Sequence, residues 1–323
     1  MIDTIIIKIA SEKLPENYNE LLDEMLINKE KSYKESRGEV LRGNYKNFHI
    51  KLNRSGLLIA GSLTNYTLGT NLKTAFKEQL KEAICKLGKE LALDLLKDGR
   101  VLRLDIATNI ITKLPVEEYY KTFENLARTN RLEQPNGLLF KNTNRSVLFY
   151  GKIAQLRKDK IPIESIMKDK NVLRYEYRFS NHSALCRFLK IEEVNVQSVF
   201  QHYTKIIDNW LKNFLAITKT NKVKRFNKDT FLIRGIFIKQ LQRLGLESLG
   251  GAKSVLEMID NAKREGAFRK YPNEISNIRK KVKSLLENPS LIDVVEVGKE
   301  LQRKIEMLHF YVIAIDEKPS FNP

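Results

Sequence analysis

Cysteine, histidine and tryptophan are scarce in this 323-residue sequence, which contains two, four and one of them. The two cysteines, Cys85 and Cys186, are too few for a disulfide scaffold or a cysteine-rich zinc site. The histidines are isolated from one another, so no element carries a histidine pair for a metal ion. The glycine-rich phosphate loop of ATPases is also absent. These absences exclude several common designs of metal and nucleotide sites.

The N-terminal stretch MIDTIIIKIASEKL lacks a basic start and has only a short apolar run. This pattern is typical of neither a signal peptide nor a membrane-spanning helix, so we expect a cytoplasmic protein that does not contact a membrane.

Charged residues, in contrast, are abundant, and basic residues outnumber acidic ones. The chain has 57 Lys and Arg against 39 Asp and Glu, a formal net charge of +18. This excess favours a nucleic-acid partner, because each neutralised phosphate releases a bound counterion.

Short apolar or alternating segments predict strands at 3–10, 45–53, 57–63, 101–111, 145–153 and 172–179. Apolar residues at steps of three and four predict a long helix from Asn71 to near Gly99 and a shorter one from Val116 to Ala127. Beyond about residue 195, helical periodicity dominates, at 196–217, 230–244, 252–263, 273–287 and 295–313. The sequence therefore predicts an α+β domain over 1–195, with a mostly antiparallel sheet and flanking helices, followed by an all-α domain over 196–323.

Three of the expected strands place polar side chains on one face. They carry, in chain order, Arg103 with Asp105, Tyr150 with Lys152, and Arg174 with Glu176 and Arg178. Two carboxylates can hold Mg²⁺ or Mn²⁺, which would polarise a phosphodiester and neutralise the negative charge that repels an incoming nucleophile. A phenol with an ordinary pKa of about 10 needs a nearby cation or base to attack phosphorus. Taken singly, each strand is more typical of a solvated face with exposed ion pairs than of a catalytic site.

Five short motifs follow one another in the order MIDTIIIKI, SLTNYTLGTN, LRLDIATN, FYGKIAQL and LRYEYRF. In this order and spacing, over roughly residues 1–190, the sequence resembles the gene II/X type replication initiators of filamentous phages and related plasmids. It is similar, more distantly, to plasmid rolling-circle initiators. The resemblance implies a site-specific endonuclease that nicks its replication origin through a 5′-phosphotyrosyl intermediate and later rejoins the strand. A host helicase and a host polymerase would then be its partners.

Position by position, the resemblance implies that Tyr150 is the nucleophile and that Lys152 is the lysine that follows it. We expect Lys152 on the same strand face as Tyr150, where it would stabilise charge on the attacked phosphorus or assist proton transfer. Asp105 and Glu176 match acidic positions that are metal ligands in the family.

The FYGKIAQL motif departs from the family at Gln155, where a glutamate is usual. An amide oxygen can still bind a metal ion, but the exchange removes a negative charge. Glu133 is a candidate substitute, since it lies near in sequence. The metal site is therefore predicted as Asp105 and Glu176 with Gln155.

Several residues are predicted to contact DNA. Gly69 and Asn71 precede the expected long helix, whose N-terminal amides suit a phosphate, although a structural turn explains them equally well. Arg103, Arg174 and Arg178 flank the site. In the helical part, three basic runs are typical of phosphate contacts, with a solvated face as the alternative for any single run. The residues predicted from these runs are Lys222, Lys224, Arg225, Arg264, Arg269, Lys270, Lys280 and Lys281.

Two other functions fit parts of the sequence. A non-catalytic, sequence-specific DNA-binding regulator of phage or plasmid replication would explain Gln155. A metal-dependent nuclease that uses water would explain the acidic residues without Tyr150. The HxxR arrangement of tyrosine recombinases is absent, because Arg187 follows His182 at the wrong spacing.

Overall fold

The computed structural model describes residues 1–34, 38–220, 223–226, 234–287, 292–295 and 297–316. The chain divides into two compact units. The first contains residues 1–221 and the segment from residue 297, and the second contains residues 222–296. Within the described residues, no helix is both long and apolar enough to cross a membrane.

The first unit is built on a ten-stranded antiparallel sheet. Its strands are, in chain order, β1 (Ile2–Ile9), β2 (Ile27–Lys34), β3 (Gly38–Tyr45), β4 (Phe48–Asn53), β5 (Gly56–Ser62), β6 (Arg100–Thr112), and then, after the short β7 (Phe123–Asn125), β8 (Asn130–Gln134), β9 (Gly137–Lys141), β10 (Arg145–Gly151) and β11 (Asn171–Phe179). Across the sheet the order is β2-β3-β4-β5-β1-β6-β11-β10-β9-β8. Strand β7 pairs with β12 (Thr218–Lys219) in a separate two-stranded sheet.

The helices of the first unit are α1 (Tyr18–Met25), α2 (Leu63–Leu68), α3 (Lys77–Glu90), α4 (Leu95–Asp98), α5 (Val116–Tyr120), α6 (Lys152–Lys158), α7 (His182–Leu189), α8 (Val196–Gln201), α9 (Tyr203–Leu215) and, after the second unit, α13 (Val297–Asp316). One face of the sheet packs on apolar side chains of these helices. There Phe149 of β10 stacks on Tyr175 of β11, with ring centroids 4.9 Å apart, and both rings contact Phe214 of α9. We call this side the helix-covered face.

The opposite side, which we call the open face, carries Tyr150, Arg174 and Arg103. Side chains alternate between the two faces along each strand, so the partners of these residues across the sheet share the open face. Many residues on this side keep part of their surface exposed, although the helix-covered positions between them are buried. Half-exposed examples are Ile6, Lys8, Lys51, Leu58, Ala60, Arg103 and Leu139.

The second unit contains three helices and a pair of short strands. They are β13 (Val223–Phe226), α10 (Arg234–Ser248), α11 (Gly251–Arg264), α12 (Glu274–Glu287) and β14 (Ile292–Val295), with β13 and β14 antiparallel. Its small core is formed by Leu246, Ile259, Val282 and Leu285. The predicted α+β class with a large antiparallel sheet is confirmed. The region after residue 195 is not purely helical, however, since β12, β13 and β14 lie in it.

The boundary between the units differs from the one predicted at residue 195. Helices α8, α9 and α13 belong to the first unit, and the reason is visible in their packing. Trp210 and Phe214 of α9 are fully buried, and the Trp210 ring lies 4.9 Å from Tyr175 of the sheet. The helical periodicity of 196–217 therefore reflects a face that covers the sheet.

Three element predictions were wrong in extent. The long helix from Asn71 is two helices, α3 and α4, and α3 begins at Lys77, where the Gln79 side chain accepts a hydrogen bond from the Phe76 amide. The segment from Val116 to Ala127 forms α5 and β7 instead of one helix. The strand expected at 145–153 ends at Gly151, so Lys152 begins a helix. No strand was expected at β2, whose sequence is mostly polar.

Candidate active site

The predicted polar residues of β6, β10 and β11 lie together on the open face. Tyr150 is directly opposite Arg174, and Arg174 is opposite Asn109 of β6. Two residues further along β11 lies Glu176, and Arg178 is opposite Asp105. The pairing of three adjacent strands thus places the nucleophile candidate and both acidic candidates in one cluster.

Tyr150 and Glu176 are in direct contact. The phenol hydroxyl donates a hydrogen bond to Glu176 Oε1 at 2.8 Å. Burial raises the pKa of Tyr150 well above its ordinary value, with the Arg174 charge acting against this rise and the Glu176 charge adding to it. The phenol is therefore protonated at neutral pH, and the neighbouring carboxylate is in place to accept its proton.

Arg174 links this pair to a third carboxylate. Its side chain is 2% exposed and donates to Glu176 Oε1 at 2.6 Å and to Asp3 Oδ2 at 2.5 Å. Burial acts against its charge, but Asp3 and Glu176 raise the pKa of Arg174 above its ordinary value. The described donors of Arg174 are thus used within the protein, on Glu176, Asp3 and the Asn71 carbonyl, and its contact with DNA stays a prediction.

Asp3 is a site residue that the sequence analysis missed. It is 7% exposed and also accepts a hydrogen bond from the Ser62 hydroxyl at 2.7 Å. The available signal was a lone carboxylate in the otherwise apolar stretch IDTIIIKI of β1. Buried carboxylates require partners, so this pattern predicts a buried cation nearby.

Asp105 is held by two arginines. Arg103 makes a bidentate contact, with Nε 2.9 Å from Oδ1 and Nη2 2.6 Å from Oδ2, and Arg178 Nε lies 3.0 Å from Oδ2. Burial raises the pKa of Asp105, and both guanidinium groups act against this rise. Both arginine side chains remain 29% exposed, so they present positive charge at the surface of the open face.

Lys152 is the first residue of α6, not the next open-face residue of a strand as predicted. It is nevertheless buried, and its ammonium donates to Gln155 Oε1 at 2.6 Å. Burial, and after it the charge of Arg174, lowers the pKa of Lys152 to about 8, with Asp3 and Glu176 acting in the opposite direction. Lys152 is therefore close to the cluster electrostatically and titrates near physiological pH.

The oxygens predicted to bind a metal ion are already occupied. Guanidinium groups contact both oxygens of Asp105, and Glu176 Oε1 contacts Tyr150 and Arg174, while the Gln155 oxygen contacts Lys152. Glu133 does not join the cluster, since it is exposed on β8 and pairs with Arg131. Among the described residues, no three His, Cys, Asp or Glu side chains are grouped so as to hold a metal ion.

The net charge of the cluster also argues against a bound metal ion. Three carboxylates, Asp3, Asp105 and Glu176, face four cationic side chains, Arg103, Arg174, Arg178 and Lys152. A cluster with more cations than carboxylates attracts a phosphate more strongly than a divalent cation. As arranged, these residues do not fit Mg²⁺ or Mn²⁺.

The predicted loop residues have structural roles. Gly69, at φ 69°, ends α2, and the Asn71 carbonyl accepts hydrogen bonds from Asn109 and Arg174. Because α3 begins six residues after Asn71, the prediction that Asn71 caps a phosphate-binding helix N-terminus is wrong. Through these two hydrogen bonds, the Asn71 carbonyl instead holds the 69–76 segment against the cluster.

The basic residues predicted in the second unit are exposed where the structure describes them. Arg264 ends α11, Arg269 and Lys270 lie in the turn that follows, and Lys280 and Lys281 are on α12. Lys222 and the side chains of Lys224 and Arg225 lie outside the described residues. A scan against protein-family models and a search of the curated proteins found no match to this chain.

Proposed function

We propose that this protein is a phosphoryl-transfer enzyme that nicks and rejoins one strand of DNA. More specifically, it initiates rolling-circle replication at an origin, through a phosphotyrosyl link at Tyr150. One observation carries this proposal: the Tyr150 phenol donates to a carboxylate that a buried arginine holds in place, on a half-exposed sheet face. A formal net charge of +18 supports DNA as the partner.

The contacts support a reaction in which Tyr150, Glu176 and Lys152 each take part. Glu176 accepts the phenolic proton as Tyr150 Oη attacks the phosphorus, and the bond between phosphorus and the 3′ oxygen breaks. Lys152 adds positive charge beside the phosphorane and supplies the proton that the leaving 3′ oxygen takes up. The products are a 5′-phosphotyrosyl enzyme and a free 3′-hydroxyl. This hydroxyl primes a host polymerase while a host helicase unwinds the duplex, and reversal of the transfer closes the strand.

Mg²⁺ or Mn²⁺ remains a prediction of the family resemblance, and no step above depends on either ion. To bind one, Asp105 and Glu176 would have to release their arginine partners when DNA enters. In the second unit, the exposed cations of α11 and α12 support a role in DNA binding. The compartment we propose is the cytoplasm, that of a bacterial host if the protein is phage-encoded.

The test is covalent capture of labelled single-stranded DNA from the origin, with Mg²⁺, with Mn²⁺ and with a chelator. We expect an adduct that survives a denaturing gel with the wild type and is lost with Tyr150→Phe. Tyr66→Phe is the matched control, because the Tyr66 hydroxyl also donates to a carboxylate, Glu90 Oε2 at 2.7 Å, but lies outside the cluster. Mass spectrometry of the trapped peptide then identifies the attached residue.

Each rival function has its own outcome in this experiment. Cleavage without an adduct that persists in Tyr150→Phe would identify a nuclease that uses water. Sequence-specific binding without cleavage under any of the three conditions would identify a DNA-binding regulator. An adduct on a tyrosine other than Tyr150 would remove Tyr150 from the role.

A further inference from the structure

Four cations lie in a line across the open face, away from Tyr150. Lys8 of β1 is opposite Arg100 of β6 on one side and Leu58 of β5 on the other. Leu58 is in turn opposite Lys51 of β4, and Lys51 is opposite Arg42 of β3. Directly paired residues of neighbouring strands point to the same face. Arg100, Lys8, Lys51 and Arg42, which we call the cation row, therefore cross five adjacent strands on one side.

The depression in the middle of the cation row, between Lys8 and Lys51, is lined without acidic side chains. Lys8 has no ion-pair partner in the part of the chain that the structure describes. This depression has a volume of about 290 Å³, and its walls include Asn53, Ser55 and Leu58. Acidic side chains lie towards the two ends of the row: Glu30 is opposite Arg42, Glu193 lies 3.5 Å from Arg100, and Glu12 and Asp98 line a second depression with Lys8 and Arg100.

The cation row is continuous with the active-site cluster. In the order of the sheet, β10 carries Tyr150, β11 carries Arg178, β6 carries Arg103, and β1, β4 and β3 carry the lysines and arginine of the row. Between the cations, the half-exposed side chains of Ile6, Leu58 and Ala60 offer apolar surface to sugars and bases. The open face thus combines cations for phosphates with apolar surface, as single-strand-binding surfaces do.

We propose that the cation row binds the phosphates of the same single DNA strand that Tyr150 cuts, and so sets how much of the strand beside the nick is held. This inference rests on the proposed function for the identity of the strand. With about 4.8 Å between neighbouring strands, β10 and β3 lie roughly 29 Å apart across the sheet. Tyr150 is level with Asn109 of β6 and the cation row with Arg100, so the path also runs nine residues, roughly 30 Å, along the strands and is about 41 Å long. At about 3.4 Å per stacked nucleotide, some twelve nucleotides cover it. Charge complementarity selects a polyanion, and the recessed Tyr150 hydroxyl selects a single strand, whose phosphates can follow the face without a paired strand.

The experiment measures binding alone, in a Tyr150→Phe background, so that its result does not depend on nicking. Two labelled oligonucleotides are used, one extending about 12 nucleotides on each side of the scissile phosphate and one extending about four. We expect Lys8→Ala with Lys51→Ala to weaken binding of the long oligonucleotide about tenfold and to reduce the slope of log K against log salt by about 1.4. Binding of the short oligonucleotide should change little.

Lys81→Ala with Lys86→Ala is the matched control, because it removes two exposed lysines from α3, outside the sheet face. Lys8→Arg with Lys51→Arg should retain wild-type affinity, since the charge is kept. The proposal is overturned if the two alanine pairs have equal effects, or if Lys8→Ala with Lys51→Ala weakens both oligonucleotides equally. If the wild type does not nick DNA but these binding differences are observed, only the proposed function is overturned.

Discussion

Strands β10 and β11 present two different chemistries on their two faces. On the helix-covered face, Phe149 and Tyr175 form an aromatic stack, and the Tyr175 hydroxyl donates to the Trp210 carbonyl at 2.7 Å. On the open face, Tyr150 donates to Glu176, and both depend on Arg174. Each strand alternates between the two environments at every residue. Two tyrosines on adjacent strands therefore have different roles, one in packing and one in the proposed chemistry.

The comparison shows that burial alone does not identify the role of a side chain. Arg174 is as buried as the aromatic rings, but its environment consists of carboxylates and carbonyl oxygens. Substitutions on the helix-covered face should change the free energy of unfolding, and substitutions on the open face should change reaction rates. Three experiments test this division.

The largest effect is expected from Glu176→Gln, which keeps a hydrogen-bond acceptor but removes the base. Adduct formation should slow by about 10²–10⁴-fold, the usual contribution of general-base catalysis. The measurement is the single-turnover rate of adduct formation. Glu90→Gln is the control, because Glu90 also accepts a hydrogen bond from a tyrosine, Tyr66. Equal effects of the two substitutions would show that Glu176 is not the base.

Next in size is the contrast between Phe149→Ala and Leu148→Ala. Phe149 is fully buried in the aromatic cluster, so its truncation should lower the free energy of unfolding by about 3–5 kcal/mol. Leu148, its neighbour on the open face, is only half-buried and should cost less than half of that. Urea unfolding measures both values. Similar losses would mean that the open face is packed as tightly as the helix-covered face.

The smallest effect concerns pH. Burial lowers the pKa of Lys152 to about 8, so the ammonium is present below that pH and is lost as the pH rises through it. Adduct formation should therefore decline above about pH 8. Lys152→Arg, which stays charged, should retain its rate to higher pH. A rate that instead increases through pH 8 would indicate that deprotonation of Lys152, and not its charge, promotes the reaction.

The alternating strands of the sheet were predictable from sequence because their polar and apolar residues alternate at every position. The polar faces of β6 and β11 were visible in RLD and RYEYR in this way, although Tyr150 itself depended on the family resemblance. The lone carboxylate of Asp3 in an apolar strand indicates a buried cation nearby, but it does not show which cation Asp3 meets across the sheet. The start of α3 was missed for a similar reason, since hydrogen bonds from Asn109 and Arg174 hold Asn71 outside the helix.

The division into units depended on contacts that periodicity does not encode. The amphipathic pattern of α9 predicts a helix with one apolar face, but not the sheet that this face covers. Likewise, the basic residues of the open face are far apart in the sequence, and only the strand order places Lys8, Lys51 and Arg42 in a line.

Trp210 is the only tryptophan of the chain, and it is fully buried against Tyr175, on the side of the sheet opposite Tyr150. The protein thus contains a single indole fluorophore, which lies on the opposite side of the sheet from the proposed reaction. Its emission reports the packing of the first unit during unfolding, without a contribution from any other indole. Because DNA on the open face would not touch this ring, a change in emission on binding would register a movement of the sheet itself.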